Sequence, residues 1–134
     1  MNLRNILSIV LLSLLLVSTS CKDSGPSEAV RVISPEELKE AVYDSNPHQL
    51  VDVRTVEEFR EGHLKNAQNI CVTDDDFEKN VLKLDKNKPV YLYCRSGKRS
   101  AAAAKILKDL GFKEIYDMEG GYLNWKNQDF ETEL

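Results

Sequence analysis

The sequence is poor in cysteine, has no excess of basic charge and contains no apolar run long enough to cross a membrane as a helix. Three cysteines cannot all pair within one chain, which excludes a small domain stapled by many disulfides. Lysine and arginine total 18 against 22 aspartates and glutamates, a formal net charge of −4, which argues against a general nucleic-acid-binding protein. The longest apolar run, Ile6 to Val17, falls short of the roughly 20 residues that a spanning helix needs.

The first 20 residues have the composition of a removable signal peptide. Arg4 precedes the apolar run, and the small polar residues Ser18, Thr19 and Ser20 close it. Removing residues 1–20 leaves a chain of single-domain length, which excludes a second catalytic domain. Hydrophobic residues make up 42% of the whole sequence, enough for one core, so a disordered chain is not expected.

Cys21 directly follows these small residues and resembles the lipidated cysteine in the lipobox of bacterial lipoproteins. The resemblance implies that Cys21 carries the lipid and becomes the first mature residue, with residues 21–29 as a flexible tether. It implies a location in the bacterial cell envelope, outside the cytoplasm on the periplasmic or surface side, with membrane attachment through the lipid anchor only. Ser18 stands where the lipobox commonly has leucine, and an ordinary secretory signal with an incidental Cys21 is the alternative.

Residues 30–134 alternate short β-branched runs with helical runs. This alternation predicts an α/β domain with a largely parallel, five-stranded sheet flanked by helices. The predicted strands are Val30 to Ile33, Leu50 to Val53, Gln68 to Val72, Val90 to Tyr93 and Glu114 to Tyr116.

Helix starts are marked by capping residues. Ser34 with Glu37, and Thr55 with Glu58, each form the serine or threonine and glutamate pattern of a capping box. The longest helix is predicted to begin near Ser100 and to end at Gly111. Two shorter helices are predicted after Asp74-Asp75-Asp76 and over Tyr122 to Lys126, the second with Trp125 sealing the sheet.

The segment between the fourth strand and the longest helix, Cys94 to Arg99, carries the residues for chemistry. A strand, a short loop and a helix N-terminus form an anion-binding geometry, because unpaired N–H groups and the helix dipole face the loop. Gly97 tolerates a curled backbone, and Arg95, Lys98 and Arg99 place three cations within five residues of the sulfur. Such surroundings lower the pKa of a cysteine from about 8.5 by roughly one to several units. The sequence therefore predicts a thiolate nucleophile at Cys94, with a buried, unreactive thiol as the alternative.

These loop residues occur together with other motifs in an order that resembles the rhodanese-domain sulfurtransferases. The shared motifs are Leu50-Val51-Asp52-Val53-Arg54, Glu57-Glu58-Phe59, Gly62-His63-Leu64 leading to Ala67 and Asn69-Ile70, Cys94 to Ser100, and Gly120-Gly121 with Trp125. The resemblance covers nearly the entire mature domain and implies a rhodanese-like fold over residues 30–134. It also implies an enzyme of the thiosulfate sulfurtransferase type, in which Cys94 is the catalytic nucleophile and accepts sulfane sulfur as a persulfide.

The resemblance further implies substrate-binding residues and partners. The residues expected to contact the substrate are Arg95, Ser96, Gly97, Lys98, Arg99 and Ser100. Their backbone is expected to cradle the persulfide, while Lys98 and Arg99 hold the anionic group of the donor. The expected partners are a small sulfur-containing anion such as thiosulfate as donor, a thiol or cyanide as acceptor, and a thioredoxin-like reductant. No cofactor is expected. No metal ion is expected either, because the cysteines and histidines lack the short paired spacing of a zinc site. The expected oligomeric state is a monomer.

Outside the loop, the family motifs predict structural contacts. Asp52 and Arg54 are expected to pair near the end of the second strand, with Glu58 as a further partner of Arg54. His63 is expected to hold the turn after Gly62.

Three positions depart from the family pattern, which commonly has glycine, isoleucine and proline where this chain has Asn66, Gln68 and Cys71. Asn66 can adopt the left-handed conformation that glycine would supply. Cys71, at the end of the third strand, is expected at the same sheet edge as Cys94, because sites in parallel sheets form at the carboxyl ends of strands. Cys71 is therefore a candidate redox partner of Cys94, and a small apolar filler is the alternative.

Two other functions stay open. A cysteine-dependent phosphatase or arsenate reductase uses a similar loop, but its arginine follows the cysteine by six positions. Here Arg99 follows Cys94 by five, Ser100 occupies the sixth position, and Tyr93 stands where those enzymes have histidine. A rhodanese-like binding module without activity is the second alternative, and the retained Cys94 argues against it.

Overall fold

The computed structural model describes residues 28–44 and 46–134, and the predicted signal peptide, Cys21 and most of the tether lie outside these residues. The strands are β1 (Val30–Ile33), β2 (Gln49–Asp52), β3 (Gln68–Asn69), β4 (Val90–Tyr93) and β5 (Ile115–Met118). The helices are α1 (Pro35–Val42), α2 (Val56–Arg60), α3 (Phe77–Val81), α4 (Lys98–Asp109) and α5 (Gly121–Asn127). Within the described ranges, no helix has the length and apolar character needed to span a bilayer.

The five strands form one parallel sheet in the order β1-β5-β4-β2-β3. β4 occupies the centre and all four of its residues are buried. Because the carboxyl ends of parallel strands share one edge, the segments that follow the strands meet there. The predicted α/β fold class, a parallel five-stranded sheet flanked by helices, is confirmed.

Alternation along β4 divides the core into two clusters. Val90, Leu92 and Cys94 pack into the cluster beneath α3 and α4. Tyr91 and Tyr93 pack into the cluster beneath α1 and α5, where Trp125 is fully buried. Cys94 therefore lies on the face of the central strand that α4 covers, one residue beyond the end of the strand.

Both predicted capping boxes are present. The Ser34 hydroxyl accepts from the N–H of Glu37 at 3.2 Å, and the Thr55 hydroxyl accepts from the N–H of Glu58 at 3.3 Å. In each case the glutamate carboxylate accepts in return from the backbone of the capping residue. These local signals position α1 and α2 directly after β1 and β2.

The third strand is shorter than predicted. β3 contains only Gln68 and Asn69, whereas the sequence pattern predicted a strand to Val72. The side-chain amide of Asn69 donates to the carbonyl oxygens of Asp52 at 3.0 Å and Arg54 at 2.8 Å. The Asp52 oxygen also accepts from the N–H of Ile70 at 3.0 Å, but the N–H of Val72 donates to Val53 at 3.1 Å rather than to Arg54, so the regular ladder ends.

Other boundaries differ by a few residues. α4 begins at Lys98 rather than Ser100, because Gly97 adopts a left-handed φ of 108° and ends the loop sooner. Gly111, with φ 89°, follows the helix as predicted. β5 reaches Met118 because Met118 pairs with Ile33 of β1. The remaining shifts are β2 at Gln49–Asp52 instead of Leu50 to Val53, α5 at Gly121–Asn127 instead of Tyr122 to Lys126, and α3 starting at Phe77 after Asp76.

Candidate active site

Cys94 is the first residue after β4, and the loop that follows curls around its sulfur. The Sγ atom accepts a hydrogen bond from the N–H of Gly97 at 3.0 Å and one from the Ser100 hydroxyl at 3.4 Å. Only 1% of Cys94 is exposed. The loop therefore forms a small cup of donors around a nearly enclosed sulfur.

The cup favours the ionised form of Cys94. Burial raises the pKa of the thiol, but hydrogen bonds from the Ser100 hydroxyl and from the N–H groups of Ser100, Gly97 and Ser96 lower it. The bonds outweigh burial, and the pKa of Cys94 lies below its ordinary value. The stabilisation comes chiefly from the main chain and one hydroxyl, whereas the sequence suggested a comparable part for the three cations.

The N-terminus of α5 clamps the loop from outside. The N–H of Tyr122 donates to the carbonyl oxygen of Cys94 at 2.7 Å, and the N–H of Leu123 donates to that of Arg95 at 3.0 Å. Gly121 permits this approach, because a Cβ there would lie 2.8 Å from the Arg95 oxygen, and its φ is 58°. The sequence motif included this glycine without assigning it a role, although two adjacent glycines at a predicted helix start signal a close backbone approach.

Arg99 is paired with Glu58 of α2. Its Nη1 and Nη2 atoms each donate to one carboxylate oxygen of Glu58 at 2.7 Å, a bidentate ion pair. The prediction that Glu58 pairs with Arg54 is wrong, because the short helix α2 turns Glu58 toward α4. Hydrogen bonding from Arg99 lowers the pKa of Glu58 to about 2.

Arg54 instead forms the predicted buried pair with Asp52. Its Nη2 atom lies 2.6 Å from Asp52 Oδ2 and also donates to the carbonyl oxygen of Gly62 at 2.7 Å. The guanidinium stacks over the Tyr122 ring, 4.2 Å from its centroid. This pair ties the end of β2 to the turn before β3 and to α5, a structural role.

The other two loop cations, Arg95 and Lys98, are exposed. Within the described ranges neither of them has an ion pair. Of the three predicted cations, Arg99 is therefore neutralised. Arg95 and Lys98 are available to an anion at the mouth of the site, the exposed side of the Cys94 loop.

A family model for the rhodanese-like domain matches residues 34–128, which include every element from α1 to α5. The chain belongs to the rhodanese-like domain family. This membership agrees with the parallel sheet order and with the placement of Cys94 at the carboxyl end of its central strand.

Individual relatives agree with this assignment. The domain is 44% identical over 77 residues to the uncharacterized protein YqhL of Bacillus subtilis, covering 58% of this chain and 60% of that protein. It is 36% identical over 77 residues to the thiosulfate sulfurtransferase GlpE of Coxiella burnetii, covering 58% of this chain and 70% of that enzyme. The crystal structure of a rhodanese-like domain protein from Staphylococcus aureus aligns with a TM-score of 0.64 and 36% identity, covering 71% of this chain and 90% of that one. This chain thus spans less than two thirds of the length of YqhL.

Asp117 is a buried acid of this rhodanese-like domain that the sequence analysis missed. It lies on β5 two residues after Ile115, on the sheet face that α4 covers, and is 6% exposed. Burial raises the pKa of Asp117, and hydrogen bonding with the Ser100 hydroxyl partly offsets the rise. Its Oδ1 atom has no hydrogen-bond partner within the described ranges. The predicted strand ended at Tyr116, so Asp117 fell outside it; an acid that alternates with Ile115 on one face of the strand is the signal that could have identified it.

Cys71 is buried after β3, and its Sγ lies 3.1 Å from the hydroxyl oxygen of Thr73. Cys71 and Cys94 are both free thiols. The redox pairing of the two cysteines stays a prediction. Asn66 adopts the expected left-handed conformation, with φ 63°.

The two histidines lie away from the sulfur. His63 Nδ1 lies 3.0 Å from the carbonyl oxygen of Phe59, and the rings of the two residues stack, which agrees with a role in the turn after Gly62. His48 pairs with Asp44 and lines a cavity of about 920 Å³ that includes no residue of the Cys94 loop. In the part of the chain that the structure describes, no cluster of histidine, cysteine and carboxylate side chains could hold a metal ion.

Proposed function

We propose that this protein is a sulfurtransferase that moves sulfane sulfur from a donor such as thiosulfate to a thiol or cyanide acceptor through a persulfide on Cys94. The observation that carries the proposal is the cup of donors around Sγ, formed by the Gly97 N–H and the Ser100 hydroxyl. Donors directed at the sulfur stabilise negative charge there before and after the transfer. The similarity to the thiosulfate sulfurtransferase of Coxiella burnetii supports the same reaction class.

The reaction consists of two displacements at sulfur. The Cys94 thiolate attacks the outer sulfur of thiosulfate, a new S–S bond forms, and sulfite leaves with the electron pair of the broken S–S bond. An acceptor thiolate or cyanide then attacks the outer sulfur of the persulfide, and Cys94 leaves as a thiolate. Sulfur and electrons balance over the two steps, so the cycle needs no cofactor.

The loop amides serve as the cradle for the outer sulfur in this proposal. The N–H groups of Ser96, Gly97 and Ser100 already act on the Cys94 thiol, and we expect them to donate to an added sulfur atom as well. Arg95 and Lys98 are the exposed cations that attract the anionic donor. Arg99, which the sequence analysis assigned to donor binding, has its planar fork occupied by Glu58.

The experiment is persulfide formation measured by intact mass. Incubation of the purified protein with thiosulfate should add the mass of one sulfur atom, and Cys94→Ser should abolish the gain. Cys71→Ser is the matched control, because it removes a second buried thiol outside the loop and should retain the gain. No gain with thiosulfate, polysulfide or an organic persulfide would contradict the proposal and favour an inert binding module. Hydrolysis of a phosphate ester that depends on Cys94 would favour a phosphatase.

We also propose that the domain is a lipid-anchored monomer of the bacterial cell envelope, attached through Cys21. The apolar run, the small residues and the cysteine of the first segment support this proposal. Radiolabelled palmitate should label the wild-type chain in a bacterial host, and Cys21→Ser should remove the label and release the protein from membranes. Equal membrane association of both chains would contradict the anchor. In that compartment, a thioredoxin-like reductant would keep Cys94 reduced.

A further inference from the structure

The ion pair between Glu58 and Arg99 determines the charge at one wall of the Cys94 site. Arg99 lies in the first turn of α4, and the Cys94 sulfur is one of the charges that act on its guanidinium. Both of its terminal nitrogens bind Glu58 at 2.7 Å, and the two side chains are only 29% and 25% exposed. A cation that interacts with the sulfur is therefore neutralised by a carboxylate from another helix.

Glu58 is held in place independently of Arg99. Its Oε2 atom also accepts from the N–H of Thr55 at 3.1 Å, the return bond of the capping box of α2. Glu58 therefore caps α2 and also pairs with Arg99. Capping needs only a hydrogen-bond acceptor, whereas the ion pair needs a negative charge. A glutamine can make the same capping bond without the negative charge.

The remaining cations of the loop have no such restraint. Arg95 and Lys98 are exposed, and neither forms an ion pair in the stretches of chain that the structure covers. The mouth therefore attracts anions through two flexible cations, while the planar guanidinium suited to bidentate binding of a sulfonate or sulfite group is occupied.

We propose that Glu58 is a specificity-determining residue that withholds Arg99 from the donor, and thereby disfavours small inorganic dianions relative to sulfane sulfur carried on a thiol. This inference rests on the proposed sulfurtransferase function. For an organic persulfide donor, the leaving group is a thiolate and needs no bidentate anion site. For thiosulfate, the leaving group is sulfite, which Arg99 would bind if Glu58 did not.

The test compares Glu58→Gln with Glu57→Gln in the full chain. The two substitutions remove the same charge from neighbouring positions of α2, but Glu57 is exposed and does not contact Arg99. Glu58→Gln should lower the KM for thiosulfate about three- to tenfold, since an ionic hydrogen-bonded contact of this kind is worth about 1 kcal/mol near the surface. The KM for the persulfide of an uncharged thiol should change less than twofold, and Glu57→Gln should leave both unchanged.

A second variant connects the effect to Arg99. Arg99→Met in the Glu58→Gln background should return the KM for thiosulfate to the wild-type value or above it. Urea unfolding of each variant shows whether the fold is retained. Equal KM values for Glu58→Gln and Glu57→Gln, or equal changes for both donors, would overturn the inference and leave the ion pair a structural link.

Sulfite binding separates this inference from the proposed reaction. Calorimetric titration of sulfite into Cys94→Ser chains requires no catalysis, and Glu58→Gln in that background should bind sulfite about three- to tenfold more tightly than Glu57→Gln. Equal sulfite binding overturns the inference even if Cys94 forms a persulfide. Tighter sulfite binding without any persulfide on the wild-type chain supports the charge role of Glu58 and contradicts the sulfurtransferase.

Discussion

The hydroxyl of Ser100 lies between two acidic groups, the thiol of Cys94 and the carboxyl of Asp117. It donates to Sγ at 3.4 Å and also lies 3.1 Å from the carbonyl oxygen of Gly97. A hydroxyl has only one proton to donate, so these acceptors compete for it. The ionisation of Cys94 therefore depends on a residue that is fully buried and never touches solvent.

Replacing Ser100 with alanine should raise the pKa of the Cys94 thiol by about one unit. One hydrogen bond to a charged acceptor is worth about 1.5 kcal/mol or more, and one pKa unit corresponds to about 1.4 kcal/mol. The pH dependence of alkylation by iodoacetamide measures the shift. Ser96→Ala is the control, because it removes a hydroxyl from the same loop but leaves the N–H that acts on the sulfur. Identical profiles for the two variants would show that the hydroxyl of Ser100 does not stabilise the thiolate.

Asp117→Asn should stabilise the protein at neutral pH. Burial raises the pKa of Asp117 in the folded state above its value in the unfolded chain, so stability falls as pH rises through that interval and the loss persists at neutral pH. We expect a gain of about 1 kcal/mol, because the neutral amide avoids the cost of burying a carboxylate that has an oxygen without a partner. Urea unfolding from neutral to acid pH should show the difference from wild type shrinking as pH falls through the raised pKa of Asp117, with little of it left below about pH 3.9. A difference that is constant with pH would contradict this account.

At the scale of elements, the contact between α5 and the Cys94 loop depends on a missing side chain. The N-terminus of α5 supplies two N–H groups to loop carbonyls, and Gly121 lies against the same backbone. A helix end is thereby satisfied by the loop, and the loop is held in its curled shape. The shape of the donor cup around the Cys94 sulfur therefore depends on the packing of α5, which contacts the loop through its main chain.

Gly121→Ala should lower the free energy of unfolding by at least 3 kcal/mol, because the added Cβ meets the main chain of Cys94 and Arg95. Gly111→Ala is the matched control. Its φ of 89° imposes backbone strain, but nothing lies within 4 Å of the added Cβ. That variant should lose about 1 to 2 kcal/mol. Urea unfolding measures both, and equal losses would show that the close approach of α5 does not matter.

The elements that the sequence predicted correctly are those that depend on residues close together in the chain. β1 and β4 have their predicted bounds, and both capping boxes need only residues three positions apart. The pairing of Glu58 with Arg99 joins residues 41 positions apart, whereas the competing partner Arg54 lies close in sequence. Proximity in sequence favoured Arg54 as the partner of Glu58, but the packing of α2 against α4 brings Glu58 to Arg99 instead.

For the molecule as a whole, the order of strands separates its two described thiols. β3 and β4 pair with opposite edges of β2. Beyond the strands, the N–H of Val53 donates to Tyr93 and its carbonyl accepts from Val72, so the same main chain continues between the segments that carry Cys94 and Cys71. Two strand spacings of about 4.8 Å separate these segments, which exceeds the Cα distance of about 7 Å that a disulfide tolerates.

Oxidation should therefore not join Cys71 to Cys94 while the sheet is intact. Mild treatment of the Cys21→Ser chain with diamide, followed by peptide mapping without reductant, should find no peptide pair linked through these two residues. The Cys21→Ser, Cys71→Ser chain is the control for links between molecules. A linked pair in the folded monomer would mean that the backbone after β3 moves toward Cys94, and that Cys71 can resolve it. Without that link, regeneration of an oxidised Cys94 must come from a separate reductant that reaches the loop from the carboxyl edge of the sheet.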